Sequence, residues 1–274
     1  MIKWLIMKLN TARTIFLIIS FFCLFSCKKT AQNSELIKED ILNIDTAQLS
    51  LPLPIENQID SIIEFPDSSL KIVILGSSTS AGNGASSLSL SWVNLLRNKV
   101  RQDGKNVDII NLSVPGYNTF HILPNGNIES SGKPSPDIFR NITKAISYRP
   151  NLIIINMPTN DVASGFSDDQ ILANYTVLVN LMKSNNINYM ITGTQPRNFG
   201  NADMRKRLKI LNDKMNNSFP GHVVDYLQKL SKNGWFILEY FSFGDDIHLN
   251  DRGHRIIFQY IINFPIFKKV VGYQ

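Results

Sequence analysis

Short apolar runs recur along the chain from Lys71 onward, and each has the length and composition of a buried β-strand. They are rich in isoleucine, valine and leucine, and none shows the alternation with polar residues that a half-exposed strand would have. Such runs are typical of strands covered on both faces. We therefore predict five strands, at residues 71–76, 107–112, 150–157, 187–194 and 222–226.

Longer segments between these runs carry apolar residues at helical spacing. In residues 89–100 the apolar positions recur every three or four residues, at Leu90, Val93, Leu96 and Val100. That spacing puts them on one face of a helix. A second helix is predicted over 135–149, with Ser135 as its cap and Pro136 at its first position. Further helices are predicted over 168–185, 201–219 and 251–264, the last being the final helix of the chain.

The regular alternation of strands and helices predicts an α/β fold. Apolar strands covered on both faces favour a parallel sheet, and five strands suit an open three-layer α/β/α sandwich better than an eight-stranded barrel. One core of this size is expected, because the whole chain has 274 residues and single cores stop growing near about 250–300. We assign residues 67–274 to this domain. Ligands bind such sheets at the carboxyl ends of the strands.

The N-terminus has the pattern of an export signal. Three cations precede an apolar run over residues 15–25, which is about the length of a signal-peptide core. The run ends in "LFSC", residues 24–27, which resembles a bacterial lipobox. The resemblance implies a lipoprotein signal peptide over 1–26, an acylated Cys27, a tether over 27–66 and a location in the bacterial cell envelope. An ordinary signal peptide or a buried N-terminal helix are the alternatives.

Charge and cysteine content exclude several classes of function. The net charge of the whole chain is +6, and three of its basic residues lie within residues 1–26. Removing that segment would leave 25 basic and 22 acidic residues, a net charge of 25 − 22 = +3. No basic stripe with interleaved aromatic residues appears, so a nucleic-acid partner is not expected. Both cysteines, Cys23 and Cys27, lie in or next to the signal segment. The domain is therefore expected to have no disulfide, thiol nucleophile or cysteine-based metal site.

Four polar clusters stand where this topology places binding loops. Three follow predicted strands, and the fourth precedes the last predicted helix. They read "GSSTSAGNG" (76–84), "SVPGYNT" (113–119), "MPTND" (157–161) and "GDDIHLNDRGH" (244–254). None has the glycine and lysine spacing of a phosphate-binding loop, and His248 and His254 are too far apart in sequence for a helical metal pair. We expect no cofactor and no metal.

In this order the clusters resemble the conserved blocks of the SGNH hydrolases, also called GDSL-like esterases, over roughly residues 70–264. The family is flavodoxin-like in fold and hydrolyses esters without a cofactor. On this chain the resemblance implies that Ser78 is the nucleophile, His248 the base and Asp245 the acid that orients the base. It also implies an oxyanion hole, made by the backbone N–H groups of Ser78 and Gly116 and the side-chain amide of Asn160. Two positions depart from the family pattern: Ser77 stands for the usual aspartate, and Pro158 for the usual glycine.

The chemistry of the residues agrees with these assignments. A serine hydroxyl needs a base within hydrogen-bond reach, and histidine suits that task near neutral pH. Of the histidines at 121, 222, 248 and 254, His248 lies just before the last predicted helix and three residues after an acid, which could hold the imidazole in one tautomer. His254 lies inside that helix, where a packing or capping role is expected. Asp246 competes with Asp245 for that role. Ser78 could instead be a turn or cap serine, Asn160 a turn residue, and Gly116 a plain turn glycine.

We expect a serine esterase, with small acyl groups such as acetyl on carbohydrate as the first choice of substrate. A lipase or lysophospholipase is the second choice. A non-catalytic glycan-binding lipoprotein on the same fold is the alternative from a different class. The glycine-rich loop over 113–136 is expected to border the pocket and to influence the choice of substrate.

Overall fold

The computed structural model of the protein describes residues 69–127, 132–157 and 159–274. The predicted signal peptide, the lipidation site Cys27 and the tether up to residue 66 lie outside the described residues, and so does Pro158. Within the described ranges, no helix is both long enough and apolar enough to cross a bilayer.

The central sheet is parallel throughout, as predicted. Its spatial order is β2-β1-β3-β4-β5, and every neighbouring pair is parallel. The sheet therefore grows outward from β1 in both directions, which is the doubly wound arrangement of α/β folds. The strands are β1 (Leu70–Gly76), β2 (Val107–Asn111), β3 (Leu152–Asn156), β4 (Asn188–Thr192) and β5 (Val223–Val224).

Nine α-helices occur in the described part of the chain. They are α1 (Ser78–Ala81), α2 (Trp92–Gln102), α3 (Ile142–Ser147), α4 (Thr159–Ala163), α5 (Asp168–Ser184), α6 (Ala202–Ser218), α7 (Leu227–Leu230), α8 (Asp251–Ile262) and α9 (Pro265–Val271). Four single turns of 3-10 helix join them, at Leu88–Leu90, Thr119–Ile122, Asn233–Trp235 and Glu239–Phe241.

Each face of the sheet has its own hydrophobic core. Successive side chains of β1 point to opposite faces, so Val73 and Leu75 join one core while Ile72 and Ile74 join the other. Helices α3, α5 and α6 cover the first face, and α2, α8 and α9 cover the second. This arrangement is the predicted three-layer sandwich, and it explains why the strands lack a polar face.

The helix predicted over 135–149 is wrong in its first half. Asp137 instead anchors a turn, because its carboxylate accepts the Phe139 N–H at 2.8 Å and its carbonyl accepts the Arg140 N–H at 3.0 Å. The helix begins only after Asn141, whose side chain accepts the Lys144 N–H at 3.1 Å. Asparagine and serine are about equally good helix caps, but Asn141 makes the capping bond, and it lies six residues beyond Ser135.

The predicted final helix also needed correction. Helix α8 ends at Ile262, and a further helix, α9, follows with Pro265 at its start. Proline ends a preceding helix but suits the first turn of the next one, where its missing N–H has no intrahelical partner. A single proline thus separates two helices that the apolar pattern alone would run together.

Candidate active site

The strand β1 delivers three serines to one edge of the sheet, and the structure gives each a different partner. Ser78 occupies the first position of α1, and its Oγ lies 2.9 Å from His248 Nε2. Ser77 Oγ accepts the side-chain amide of Asn160 at 2.7 Å. Ser80 is buried, and its hydroxyl donates to Asn156 Oδ1 at 2.6 Å. Only Ser78 therefore faces a base.

His248 is held from its other side by Asp245. Asp245 Oδ2 lies 2.5 Å from His248 Nδ1, and Asp245 Oδ1 accepts the backbone N–H groups of His248 at 2.7 Å and Ile247 at 3.0 Å. Partial burial tends to raise the pKa of Asp245, but these hydrogen bonds outweigh it and lower that pKa to about 2. An ionised Asp245 favours a proton on Nδ1 of His248, which leaves Nε2 able to accept the Ser78 proton.

The neighbouring acid, Asp246, points elsewhere. It has a left-handed backbone with φ of 64°, and its Oδ1 accepts the side-chain amide of Asn198 at 3.0 Å. The ambiguity left by the sequence thus ends in favour of Asp245. Asp246 instead joins the His248 loop to the loop that follows β4.

The other histidines have structural partners. His254 is fully buried in α8, where its Nδ1 accepts the Trp92 N–H at 3.3 Å and its Nε2 lies 2.9 Å from the carbonyl of Asn83. His121 lies in the 3-10 turn after β2 and stacks on a tyrosine. His222 stacks on Tyr189 at the start of β5.

Gly84 lets the loop after α1 approach the His248 segment closely. Its φ is 88°, and a Cβ built there would lie 2.2 Å from the carbonyl oxygen of Leu249 and 2.9 Å from His248 Cβ. Any side chain at this position would therefore collide with the backbone that carries the base. Glycine is the residue that tolerates both the left-handed backbone and the contact.

The predicted oxyanion donors lie at the ends of three neighbouring segments. The Ser78 N–H is one of the first N–H groups of α1, which lack intrahelical acceptors. Gly116 occupies the third position of a turn whose Tyr117 N–H donates to the Val114 carbonyl at 3.2 Å. Its φ of 86° after Pro115 matches a type II turn, so the turn alone already requires glycine there.

Asn160 shows an arrangement that the sequence did not suggest. Its Nδ2 donates to Ser77 Oγ at 2.7 Å and to the Tyr117 carbonyl at 3.0 Å, so both amide hydrogens already have acceptors. The hydroxyl at the position where the family usually has aspartate is one of those acceptors. Asn160 can serve an oxyanion only by releasing one of them.

Asp161 is a buried carboxyl that joins two of the site's loops. It accepts the Thr119 N–H at 3.0 Å and the Thr119 hydroxyl at 2.5 Å, while Thr119 Oγ1 in turn accepts the Asn174 amide at 2.8 Å. Burial raises the pKa of Asp161 to about 7, although the hydrogen bonds from Thr119 and the charge of Arg207 oppose that shift. The contact fixes the turn that carries Gly116 against the helix that carries Asn160.

A small cavity of about 30 Å³ opens beside Ser78. A water molecule needs about 10–15 Å³ on this scale, so the cavity holds roughly two groups of that size. Its walls combine polar and apolar groups. The lining residues are Ser77, Ser78, Thr79, Tyr117, Asn156, Met157, Thr159, Asn160, Gly193, Gln195 and Ile247.

Gln195 connects three parts of this site, and the sequence analysis missed it. Its Oε1 accepts the Thr79 hydroxyl at 2.9 Å, and its Nε2 donates to the Ile247 carbonyl at 3.2 Å. Its backbone N–H also approaches Thr159 Oγ1 at 3.4 Å. The available signal was its position, because Gln195 follows β4 at the same sheet edge as the recognised clusters.

Comparisons with known proteins identify the family of this chain. Residues 74–256 match the sequence pattern of the GDSL-like Lipase/Acylhydrolase family. Comparison with curated protein sequences gives no significant match. Solved structures of similar fold include a lipase/acylhydrolase from Enterococcus faecalis, with a TM-score of 0.56, 19% identity, and coverage of 74% of this chain and 96% of that one.

Two further structures extend the likeness of fold. A GDSL-like lipase from Bacteroides thetaiotaomicron has a TM-score of 0.52 and 18% identity, with 73% of this chain and 88% of that one covered. A carbohydrate acetylesterase family member from Sinorhizobium meliloti has a TM-score of 0.52 and 14% identity, with coverage of 74% and 99%. The family match covers more than half of the chain. The chain therefore belongs to the GDSL-like lipase/acylhydrolase family, whose members are ester-hydrolysing serine hydrolases.

Proposed function

We propose that this enzyme removes small acyl groups, acetyl above all, from esters of carbohydrates, with Ser78 as nucleophile. Ser78 Oγ attacks the ester carbonyl carbon while His248 Nε2 takes its proton, and Asp245 stabilises the resulting imidazolium. The carbonyl π electrons move onto oxygen and then return, which expels the alcohol with the proton from His248. Water, deprotonated by the same base, then attacks the acyl-enzyme and releases the acid and Ser78.

The short contacts along Ser78, His248 and Asp245 support these roles. Distances of 2.9 Å and 2.5 Å are within the reach that proton transfer between these groups requires. They also speak against the alternative of a glycan-binding protein without catalysis, since binding alone would need no base facing a serine.

In the proposed mechanism, three donors stabilise the oxyanion: the backbone N–H groups of Ser78 and Gly116 and the side-chain amide of Asn160. Asn160 would exchange the Ser77 hydroxyl for the oxyanion as negative charge develops. A neutral hydroxyl is a weaker acceptor than an oxyanion, so this exchange favours the transition state over the ground state. Loss of one such donor typically costs about 10²–10³ in rate.

The size of the cavity is the observation that carries the choice of a small acyl group. About 30 Å³ admits a methyl group and its neighbours but not a long alkyl chain. Asn156, Thr159 and Gln195 contribute polar groups to the walls, beside apolar groups such as Met157 and Ile247. Carbohydrate as the alcohol part follows from the predicted export to the cell envelope, where glycans are abundant.

A lipid ester is the second candidate, because two large apolar side chains are exposed on the His248 side of the site. Tyr240 and Phe243 are 58% and 56% exposed, and the Phe243 N–H donates to the His248 carbonyl at 3.0 Å. An acyl chain could lie across these rings outside the cavity. Acyl-length preference separates the two candidates.

The test uses p-nitrophenyl acetate, butyrate and octanoate, an acetylated xylan, and a fluorophosphonate probe. We expect the highest kcat/KM with acetate, labelling of Ser78, and a loss of at least about 10³-fold in kcat for Ser78→Ala. Ser184→Ala is the matched control, because Ser184 is an exposed serine at the end of α5. A preference for octanoate would favour the lipid candidate, and full activity of Ser78→Ala would disprove the mechanism.

A further inference from the structure

Arg197 lies next to the catalytic groups, and the reaction described above does not use it. It follows β4 on the loop that also carries Gln195. Its Nη1 lies 3.4 Å from Asn160 Oδ1, on the opposite end of the amide from the proposed oxyanion donor. The Phe199 ring lies under its guanidinium, with 4.9 Å between the Cζ atom and the ring centroid.

This guanidinium has donors to spare. Among the described residues, the bond to Asn160 is the only hydrogen bond that the Arg197 side chain makes, and its guanidinium forms no ion pair. Burial lowers the pKa of Arg197, while the charge of Asp245 opposes that shift. A guanidinium has five N–H donors, and holding it half-buried without a counterion costs free energy.

Two other arginines close in sequence, Arg205 and Arg207, have hydrogen-bond or ion-pair partners for their guanidinium groups within the protein. Arg205 donates to the Gly234 carbonyl at 3.0 Å and to the carbonyl of Phe199. Arg207 forms an ion pair with Asp168 at 2.8 Å. Both guanidinium groups are thus satisfied within the protein, and the half-buried Arg197 is not.

The position of Arg197 indicates which part of a substrate it would meet. It does not line the small cavity beside Ser78, so it lies outside the space assigned to the acyl group. Its neighbours are Asn160 and Asp245. In an ester whose acyl group fills the cavity, the part that remains outside is the alcohol. Asp245 does not compete for the spare donors, because its oxygens accept from His248 and from two backbone N–H groups.

We propose that Arg197 binds a carboxylate on the alcohol part of the substrate, so that the preferred substrates are acyl esters of acidic alcohols such as acidic sugars. The planar fork of a guanidinium matches a carboxylate in two parallel hydrogen bonds. This inference rests on the proposed esterase function and specifies its substrate class. Phe199 keeps the guanidinium plane in place while the donor edge meets the ligand.

The test compares 4-acetoxybenzoate with its methyl ester, which differ in one negative charge on the leaving group. We expect Arg197→Gln to lower kcat/KM for the anionic ester about tenfold more than for the neutral one, since a charge-assisted bond contributes about that factor. Arg197→Lys should restore part of the difference, because it keeps the charge and loses the fork. Arg101→Gln, on the exposed face of α2, controls for net charge.

A second measurement does not depend on turnover. Calorimetric binding of 4-acetoxybenzoate to Ser78→Ala should be about tenfold weaker when Arg197→Gln is added, while binding of the methyl ester should change little. Equal losses for both esters, in turnover and in binding, would show that Arg197 only positions Asn160 and would overturn the proposal. If hydrolysis does not depend on Ser78 while binding still distinguishes the charged ester from the neutral one, the esterase mechanism is disproved and the role of Arg197 in binding is not.

Discussion

The buried carboxyl of Asp161 should make the stability of this protein fall as pH rises through the weakly acidic range. In the unfolded chain this group ionises near 3.8, whereas in the native protein burial raises its pKa to about 7. Between those values the native state holds a proton that the unfolded state has lost. The native state therefore binds more protons, and stability decreases with rising pH.

The size of the effect follows from the same values. A difference of about three pH units corresponds to about 4 kcal/mol, at 1.4 kcal/mol for each unit. The loss begins near pH 4, is complete somewhat above pH 7, and stays constant at higher pH. The Asp161→Asn variant has no proton to lose at this position, and its Oδ1 can still accept both Thr119 donors, which share one oxygen in the native protein.

The measurement is urea unfolding of both proteins at pH 5, 6, 7 and 8. The unfolding free energy of Asp161→Asn minus that of the wild type should rise by about 1 kcal/mol for each pH unit up to pH 7. Above pH 7 this difference should level off. Asp169→Asn, which removes an exposed carboxylate from the start of α5, should run parallel to the wild type. A difference independent of pH would mean that Asp161 is ionised throughout, and the reasoning from burial would be refuted.

Two further predictions concern residues that support the site, and a third concerns the predicted lipid anchor. Gln195→Met should leave the Thr79 hydroxyl and the Ile247 carbonyl without their partner. We therefore expect kcat to fall at least about tenfold and the free energy of unfolding to fall by about 1–3 kcal/mol. An unchanged kcat would show that Gln195 does not hold the His248 loop. Gly84→Ala should lower the free energy of unfolding by about 1–2 kcal/mol through its left-handed backbone alone, and it should slow fluorophosphonate labelling of Ser78 because the new methyl group displaces His248. Gly104→Ala is the control, since Gly104 also has a left-handed backbone but lies in open space. That variant should lose stability and keep its labelling rate. Cys27→Ser should abolish incorporation of labelled palmitate in a bacterial host; continued labelling would disprove lipidation at this residue.

The local pattern of the chain was enough to predict the sheet. The strands are apolar on both faces because both faces are covered, and that burial is visible in the composition of runs such as residues 71–76 and 150–157. Helix limits were less certain where a second good cap lay further along, as Asn141 did beyond Ser135. Capping depends on which side chain reaches a free N–H, and several residues in one segment can compete for that role.

The sequence also provided Ser78, His248 and Asp245 as candidates, through the resemblance of its polar clusters to the family blocks, and their chemistry agreed because a serine nucleophile requires a base and the base an acid. What it could not determine was the meeting of residues that are 170 positions apart, since only the folded domain brings the end of β1 to the loop before α8. The same folding decided that Asp245 rather than Asp246 faces the imidazole, that the Asn160 amide rests on Ser77, and that Gln195 and Arg197 border the site. These contacts are hydrogen bonds between segments that are distant in sequence, and such contacts produce no periodic pattern of residues. Burial does produce one, because buried positions recur at a fixed spacing along each strand and helix, and the sequence therefore predicts it.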